Sequence, residues 1–193
     1  YVIFYNFDYY SENLIEILYL WQGGLSFHGG LLGIVTAAII ISKFYKTTFF
    51  EISDLICVSA PVGIFFGRIS NFINGELFGR PSNFLIGMKF PNADNQYRHP
   101  SQLYEAFLEG LLLFIILNFL IFKLKKLKNP GIISGVFLML YGLFRFTVEF
   151  TREPDIQLGF VYHFLTMGMI LSLPMFLAGI LILVIKSIKN DTR

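Results

Sequence analysis

Residues 132–150 read Ile-Ile-Ser-Gly-Val-Phe-Leu-Met-Leu-Tyr-Gly-Leu-Phe-Arg-Phe-Thr-Val-Glu-Phe. The stretch is about as long as the roughly 20 residues a helix needs to cross a bilayer. It is apolar except in its second half, where Tyr141, Arg145 and Glu149 follow one another at i,i+4 spacing and share one helix face. A charge at membrane depth costs several kcal/mol unless it is paired or hydrated, on the order of +2.5–3.5 kcal/mol by insertion scales. A spanning helix that keeps an arginine and a glutamate therefore needs a polar surrounding inside the protein.

Similar apolar runs flank this one. Residues 25–42 form a short span, 55–73 and 103–122 full ones, and 158–185 one long enough to cross with tilt. Residues 1–20 are aromatic but interrupted by Asp8, Glu12 and Glu16, and read as the end of a span followed by an interfacial helix. Loops fall near 43–54, 74–102, 123–131 and 151–157. The expected fold is all-α: a polytopic transmembrane helical bundle forming one domain over residues 1–193, with an outward-facing loop region at 74–102. No internal repeat or low-complexity tract divides it.

Composition agrees. Of 193 residues, 55% are hydrophobic, 23 are Phe and 15% are charged, against about 25% charged in an ordinary soluble domain. Mean hydropathy is +0.64. A formal net charge of +2 gives no general attraction for polyanions, so nucleic acid is not an expected partner. One cysteine, Cys57, sits in an apolar run, which excludes a disulfide framework and a CxxC metal site and reads as a buried, inert thiol.

Lysines orient the bundle. Lys43 and Lys46 share one loop, Lys123, Lys125, Lys126 and Lys128 another, and Lys186 and Lys189 end the chain; only Lys89 lies opposite. By the positive-inside rule the lysine-rich side is cytoplasmic. Arginines show the reverse bias, all but Arg193 lying in the outer half or in outer loops.

Two further polar clusters interrupt the apolar runs. Residues 67–80 read Gly-Arg-Ile-Ser-Asn-Phe-Ile-Asn-Gly-Glu-Leu-Phe-Gly-Arg, so Arg68 and Asn71 share a face near the outer end of the second span. Snorkelling to the interface explains one arginine but not Asn71, Asn74 and Glu76 beside it. Arg145 and Glu149 either neutralise each other or serve a site. Arginines on two separate helices at similar depth point to a phosphate, whose oxygens match the guanidinium fork; an anionic lipid headgroup is the natural ligand there. His28, within Gly-Gly-Leu-Ser-Phe-His-Gly-Gly-Leu-Leu-Gly at 23–33, is a candidate proton acceptor, since an imidazole in general titrates near neutral pH. His28, His99 and His163 are scattered with no HExxH, so no metal site is expected. Pro100 suits a first helical turn, and Tyr104 and Glu105 can face the outer pocket.

Four segments together resemble bacterial prolipoprotein diacylglyceryl transferases: Gly-Gly-Leu-Ser-Phe-His-Gly-Gly-Leu at 23–31, the 67–80 stretch, His-Pro-Ser-Gln-Leu-Tyr-Glu-Ala at 99–106, and Tyr-Gly-x-x-Arg-Phe-x-x-Glu-Phe-x-Arg-Glu-Pro-Asp at 141–155. They occur in the family's order and spacing. The resemblance implies transfer of the diacylglyceryl group of phosphatidylglycerol to the lipobox cysteine thiol of a preprolipoprotein, with release of glycerol phosphate. It implies a multi-pass inner-membrane enzyme with its site toward the outer leaflet, and no cofactor or metal. It makes Arg68 and Arg145 essential, supported by Asn71, Glu76, Gly79, Tyr141 and Glu149, with His28 as the base candidate. It further implies two spans before residue 1.

Two positions depart from the family pattern: Ser70 replaces an expected glycine, and Met169 an expected glutamine. A lipid transporter or scramblase would use the same arginine-lined pocket without breaking a bond. Such proteins commonly carry repeats with broken helices, and none is visible here.

Overall fold

The structure is a computed structural model that describes residues 2, 6–19, 21, 26–154, 160–162 and 165–191, with the side chains at 27, 28, 160–162 and 189–191 not described. It divides into two compact units, residues 1–52 and 53–193.

In the first unit, α1 (Phe7–Glu12) and a 3-10 turn (Leu14–Leu18) bury none of their residues. Helix α2 (Phe27–Phe44) opens on Ser26, whose hydroxyl accepts from the Gly29 N–H, one of the donors a helix start leaves unmade. Thr48 and Glu51 exchange backbone and side-chain bonds in a capping box at the head of α3 (Phe49–Ile73).

The second unit holds most of α3, then α4 (Ser101–Phe122), α5 (Ile132–Val148) and α6 (Met167–Asp191). Among the described residues, Phe49–Ile73, Ser101–Phe122 and Met167–Ile188 are long and apolar enough to cross a membrane, while Gly29–Phe44 and α5 are shorter apolar helices. The protein is a multi-pass membrane protein. The last span differs from expectation. It starts at Met167 rather than near residue 158, because β1 (Phe160–Tyr162) and β2 (Leu165–Thr166) form a short antiparallel hairpin first. Its first strand, Phe-Val-Tyr, is β-branched and aromatic, which suits an extended backbone.

Leu113, Leu117 and Ile133 are wholly buried, and Cys57, Val58, Phe137, Leu140 and Phe144 pack around them. Lipid tails are as apolar as these side chains, so helix association in a membrane depends on close packing and internal hydrogen bonds. Both are present. A Cβ on Gly142 would lie 2.8 Å from the Phe176 nitrogen and the Ser172 carbonyl oxygen, and one on Gly179 would lie 2.8 Å from Met139 Cα. The glycines let α5 and α6 touch backbone to backbone.

Asp54 supplies the internal hydrogen bonds at one end. It is fully buried near the start of α3. Its carboxylate accepts from the Gly131 and Ser134 N–H groups, each at 2.8 Å, and from the Ser134 hydroxyl at 2.5 Å. The start of α5 is thus capped by a residue from another helix. The far ends of α3 and α5 meet the start of α4 instead, through ion contacts described below. Helices α3 and α5 run parallel and α4 antiparallel to both, as alternating spans require.

Candidate active site

The C-terminal ends of α3 and α5 and the N-terminal end of α4 bring three arginines and three glutamates together. Arg68 Nε lies 2.7 Å from Glu105 Oε2, and Arg145 Nη1 lies 3.1 Å from that same oxygen. Arg145 also approaches Glu109 at 3.7 Å and pairs with Glu149 one turn along α5. Arg152 Nη1 is 3.6 Å from Glu149, whose other oxygen accepts from the Thr166 hydroxyl at 2.6 Å. Side-chain exposure is 21% for Arg68 and 12% for Arg145, and at most 1% for Glu105 and Glu109. The glutamates offset the cost of holding guanidiniums away from water.

Geometry within the cluster is uneven. Glu149 receives hydrogen bonds from Arg145 and Thr166. Neither oxygen of Glu105 or Glu109 receives a well-directed hydrogen bond, and Arg145 Nη1 donates none. The short Arg68–Glu105 distance records charge proximity, not an aligned N–H···O bond. Part of α4 is a π-helix, Ala106–Leu112, beginning directly after Glu105 and containing Glu109. Such segments concentrate at functional sites.

The connections that follow α3 and α5 frame this end. Gly79 bridges to Arg152, Arg80 donates through Nε to the Arg152 carbonyl at 2.8 Å, and Arg98 pairs with Asp94 and Glu153. Hydrogen bonding from Arg98 holds the exposed Asp94 carboxyl below the ordinary carboxylate range. A lowered folded value stabilises this loop above the ordinary pKa, and the contribution disappears as pH falls through the folded value. Proteolysis within residues 81–98 should accordingly accelerate below about pH 4, and Asp94→Asn should flatten that dependence.

Of the residues singled out from sequence, the structure joins Arg68, Glu105, Arg145 and Glu149. Tyr141 lies one turn before Arg145, stacked on Phe137 at 5.7 Å. Asn71 is half-buried one turn beyond Arg68. Glu76 is exposed, and its backbone carbonyl accepts from Gln102 at 2.6 Å. Gly79 is buried where a Cβ would lie 2.5 Å from the Thr151 carbonyl oxygen, so its part is to let two backbones meet. The His28 backbone lies in the first turn of α2, but its imidazole falls outside the described residues. Ser70 is exposed and bonds back to the Phe66 carbonyl, which explains why a helix accepts it in place of glycine. Met169 is buried, and its N–H donates to Thr166. Sequence reading passed over Glu109, Asp54 and Thr166. The signal for Glu109 was present: Glu105 and Glu109 are an i,i+4 acid pair within an apolar span.

Fold and site together define a class: a membrane-embedded protein with arginines from separate spans gathered on buried acids. The family model for prolipoprotein diacylglyceryl transferase matches residues 1–185. A phosphatidylglycerol–prolipoprotein diacylglyceryl transferase of Rickettsia bellii is 50% identical over 193 residues, covering 100% of this chain and 73% of that relative. Proteins of the same name from Rickettsia felis and Rickettsia rickettsii are 53% and 54% identical over 179 residues, 93% of this chain and 69% of theirs. The chain belongs to the prolipoprotein diacylglyceryl transferase family. The transporter or scramblase alternative is thereby set aside, since the relatives carry the name of a transferase.

Proposed function

We propose that this protein transfers the diacylglyceryl group of phosphatidylglycerol to the lipobox cysteine thiol of a prolipoprotein. The observation that carries the reading is the convergence of Arg68 and Arg145, from different helices, on one carboxylate oxygen at 2.7 and 3.1 Å. A phosphate there is within reach of both guanidiniums. In the reaction the thiol sulfur attacks the glyceryl carbon that bears the phosphate. An S–C bond forms, the C–O bond to phosphate breaks, and the electron pair leaves on the phosphate oxygen. The thiol proton passes to a base and then to the leaving glycerol phosphate. Paired guanidiniums favour this step by stabilising charge that grows on the phosphate. A base is needed because a thiol is largely protonated near pH 7.

His28 is our candidate for that base, on chemistry and its glycine-rich surroundings. Labelled diacylglycerol transfer from phosphatidylglycerol to a lipobox peptide tests both assignments. Arg68→Ala should lose lipid binding and transfer together. His28→Gln should lose transfer while still binding phosphatidylglycerol, and near-normal transfer by it between pH 6 and 9 would remove the base role.

The site is assigned to the outer leaflet of the bacterial inner membrane, with Asn71 and Tyr141 lining it. Four lysines lie in the 123–131 loop, at the Asp54 end of the unit, and the arginine cluster lies at the other. In a Cys57→Ser background, cysteine at position 85 should label only from outside, and cysteine at position 127 only from the cytoplasm. The reverse pattern would invert the orientation.

A further inference from the structure

Glu105 occupies an unusual place. Its Oε2 touches guanidiniums from both α3 and α5, the position in which a headgroup phosphate must make its own contacts. Charge counting sharpens the point. Arg68, Arg145 and Arg152 are balanced by Glu105, Glu109 and Glu149, all six in one contact network. An incoming phosphodiester competes with these carboxylates for the same guanidiniums, in surroundings where charge is weakly screened. One carboxylate must yield its cations.

The three are not equally free to do so. Glu149 is clasped by Arg145 and Thr166, with Arg152 nearby, and packs closely on Gly168. Glu109 is equally buried and likewise receives no directed hydrogen bond, but it approaches only Arg145, at 3.7 Å, and so does not stand between the two helices' guanidiniums. Glu105 is drawn to two cations yet receives no directed hydrogen bond on either oxygen. It is held by charge without being clasped, and a ligand that offers better-aimed oxygens can take its cations.

Resting on the reading of a phosphate-handling transferase, we propose that Glu105 is an internal stand-in for the headgroup phosphate. It neutralises Arg68 and Arg145 when no headgroup is bound and gives them up when one binds. Glu105 thereby sets a selectivity threshold. Phosphate oxygens that engage a guanidinium fork in two places displace it, whereas anions offering single-point contacts do not. It is a specificity-determining residue, not a proton carrier or nucleophile.

The test is binding of glycerol 1-phosphate to the purified chain in detergent, together with the KM for phosphatidylglycerol. Glu105→Gln keeps the side-chain shape and removes the competing charge. It should tighten glycerol phosphate several-fold, lower the KM, and make chloride, which offers only a single-point contact, an inhibitor at concentrations the unmodified protein tolerates. Glu105→Asp keeps the charge but shortens the reach, and should tighten binding to a smaller degree. It also carries the test if the glutamine variant does not fold. Unchanged or weaker glycerol phosphate binding in the folded variants overturns the proposal and makes Glu105 a fixed clamp for the arginines. Loss of the transferase reading looks different: the unmodified protein would then neither transfer from phosphatidylglycerol nor bind glycerol phosphate, and both readings would fall.

Discussion

Arg145→Lys should slow diacylglyceryl transfer about tenfold or more, and Arg68→Lys should do the same. Lysine preserves the charge at both places but not the planar fork. Charge-assisted hydrogen bonds are worth roughly 1.5–3 kcal/mol each, and about 1.4 kcal/mol corresponds to a factor of ten in rate. The two guanidiniums meet at Glu105 Oε2, so on the proposed reading they act on one anion rather than two. Groups acting on a shared charge are not additive. The double lysine variant should therefore lose less than the product of the single losses. Clean multiplication of the rates would make the arginines independent, and Arg145 would then be chiefly the structural partner of Glu149.

The second large effect is on stability. Asp54→Ala should destabilise the protein by about 2–4 kcal/mol, because buried donors left without an acceptor cost about 1–3 kcal/mol each. Three bonds end on that carboxylate, two of them from the N–H groups that begin α5. Asp54→Asn keeps an acceptor and should lose less than half as much. Reversible unfolding in mixed detergent measures both. Transfer activity per folded molecule should stay near normal, since Asp54 sits at the end of the unit opposite the arginines. An equal loss of activity and stability would mean that the two ends are coupled.

The outline of the fold could be read in the sequence because membrane thickness fixes how long an apolar run must be. Residues 103–122 and 132–150 agree with α4 and α5 to within two residues at each end, while α3 begins at Phe49, six residues before the expected 55. The last span begins later than expected, since Phe160-Val-Tyr is as apolar as a helix and only backbone pairing with Leu165–Thr166 reveals a strand. The site was legible through its cations. Arginines in apolar runs stand out, and their i,i+4 partner Glu149 follows on the same face. The acids of α4 were harder, because Glu105 and Glu109 have no cation near them in sequence and acquire Arg68 and Arg145 only by packing. Asp54 falls at the end of the loop expected at 43–54, where a charge calls for no special account. Nothing local says that the donors it accepts from lie beyond residue 130.

The π-helical stretch Ala106–Leu112 has one more consequence. A π turn closes on the fifth residue instead of the fourth, so each such turn takes in an extra residue and resets the angular phase of everything after it. Below it, Leu113 and Leu117 are fully buried in the core; above it, Gln102 and Glu105 are buried at the charged end. Helix α4 is thus a rod with two azimuths joined by a rotary offset. Each half is free to follow its own neighbours, and a one-residue deletion between them would turn the carboxylate end against the leucine end without changing any other residue of either half.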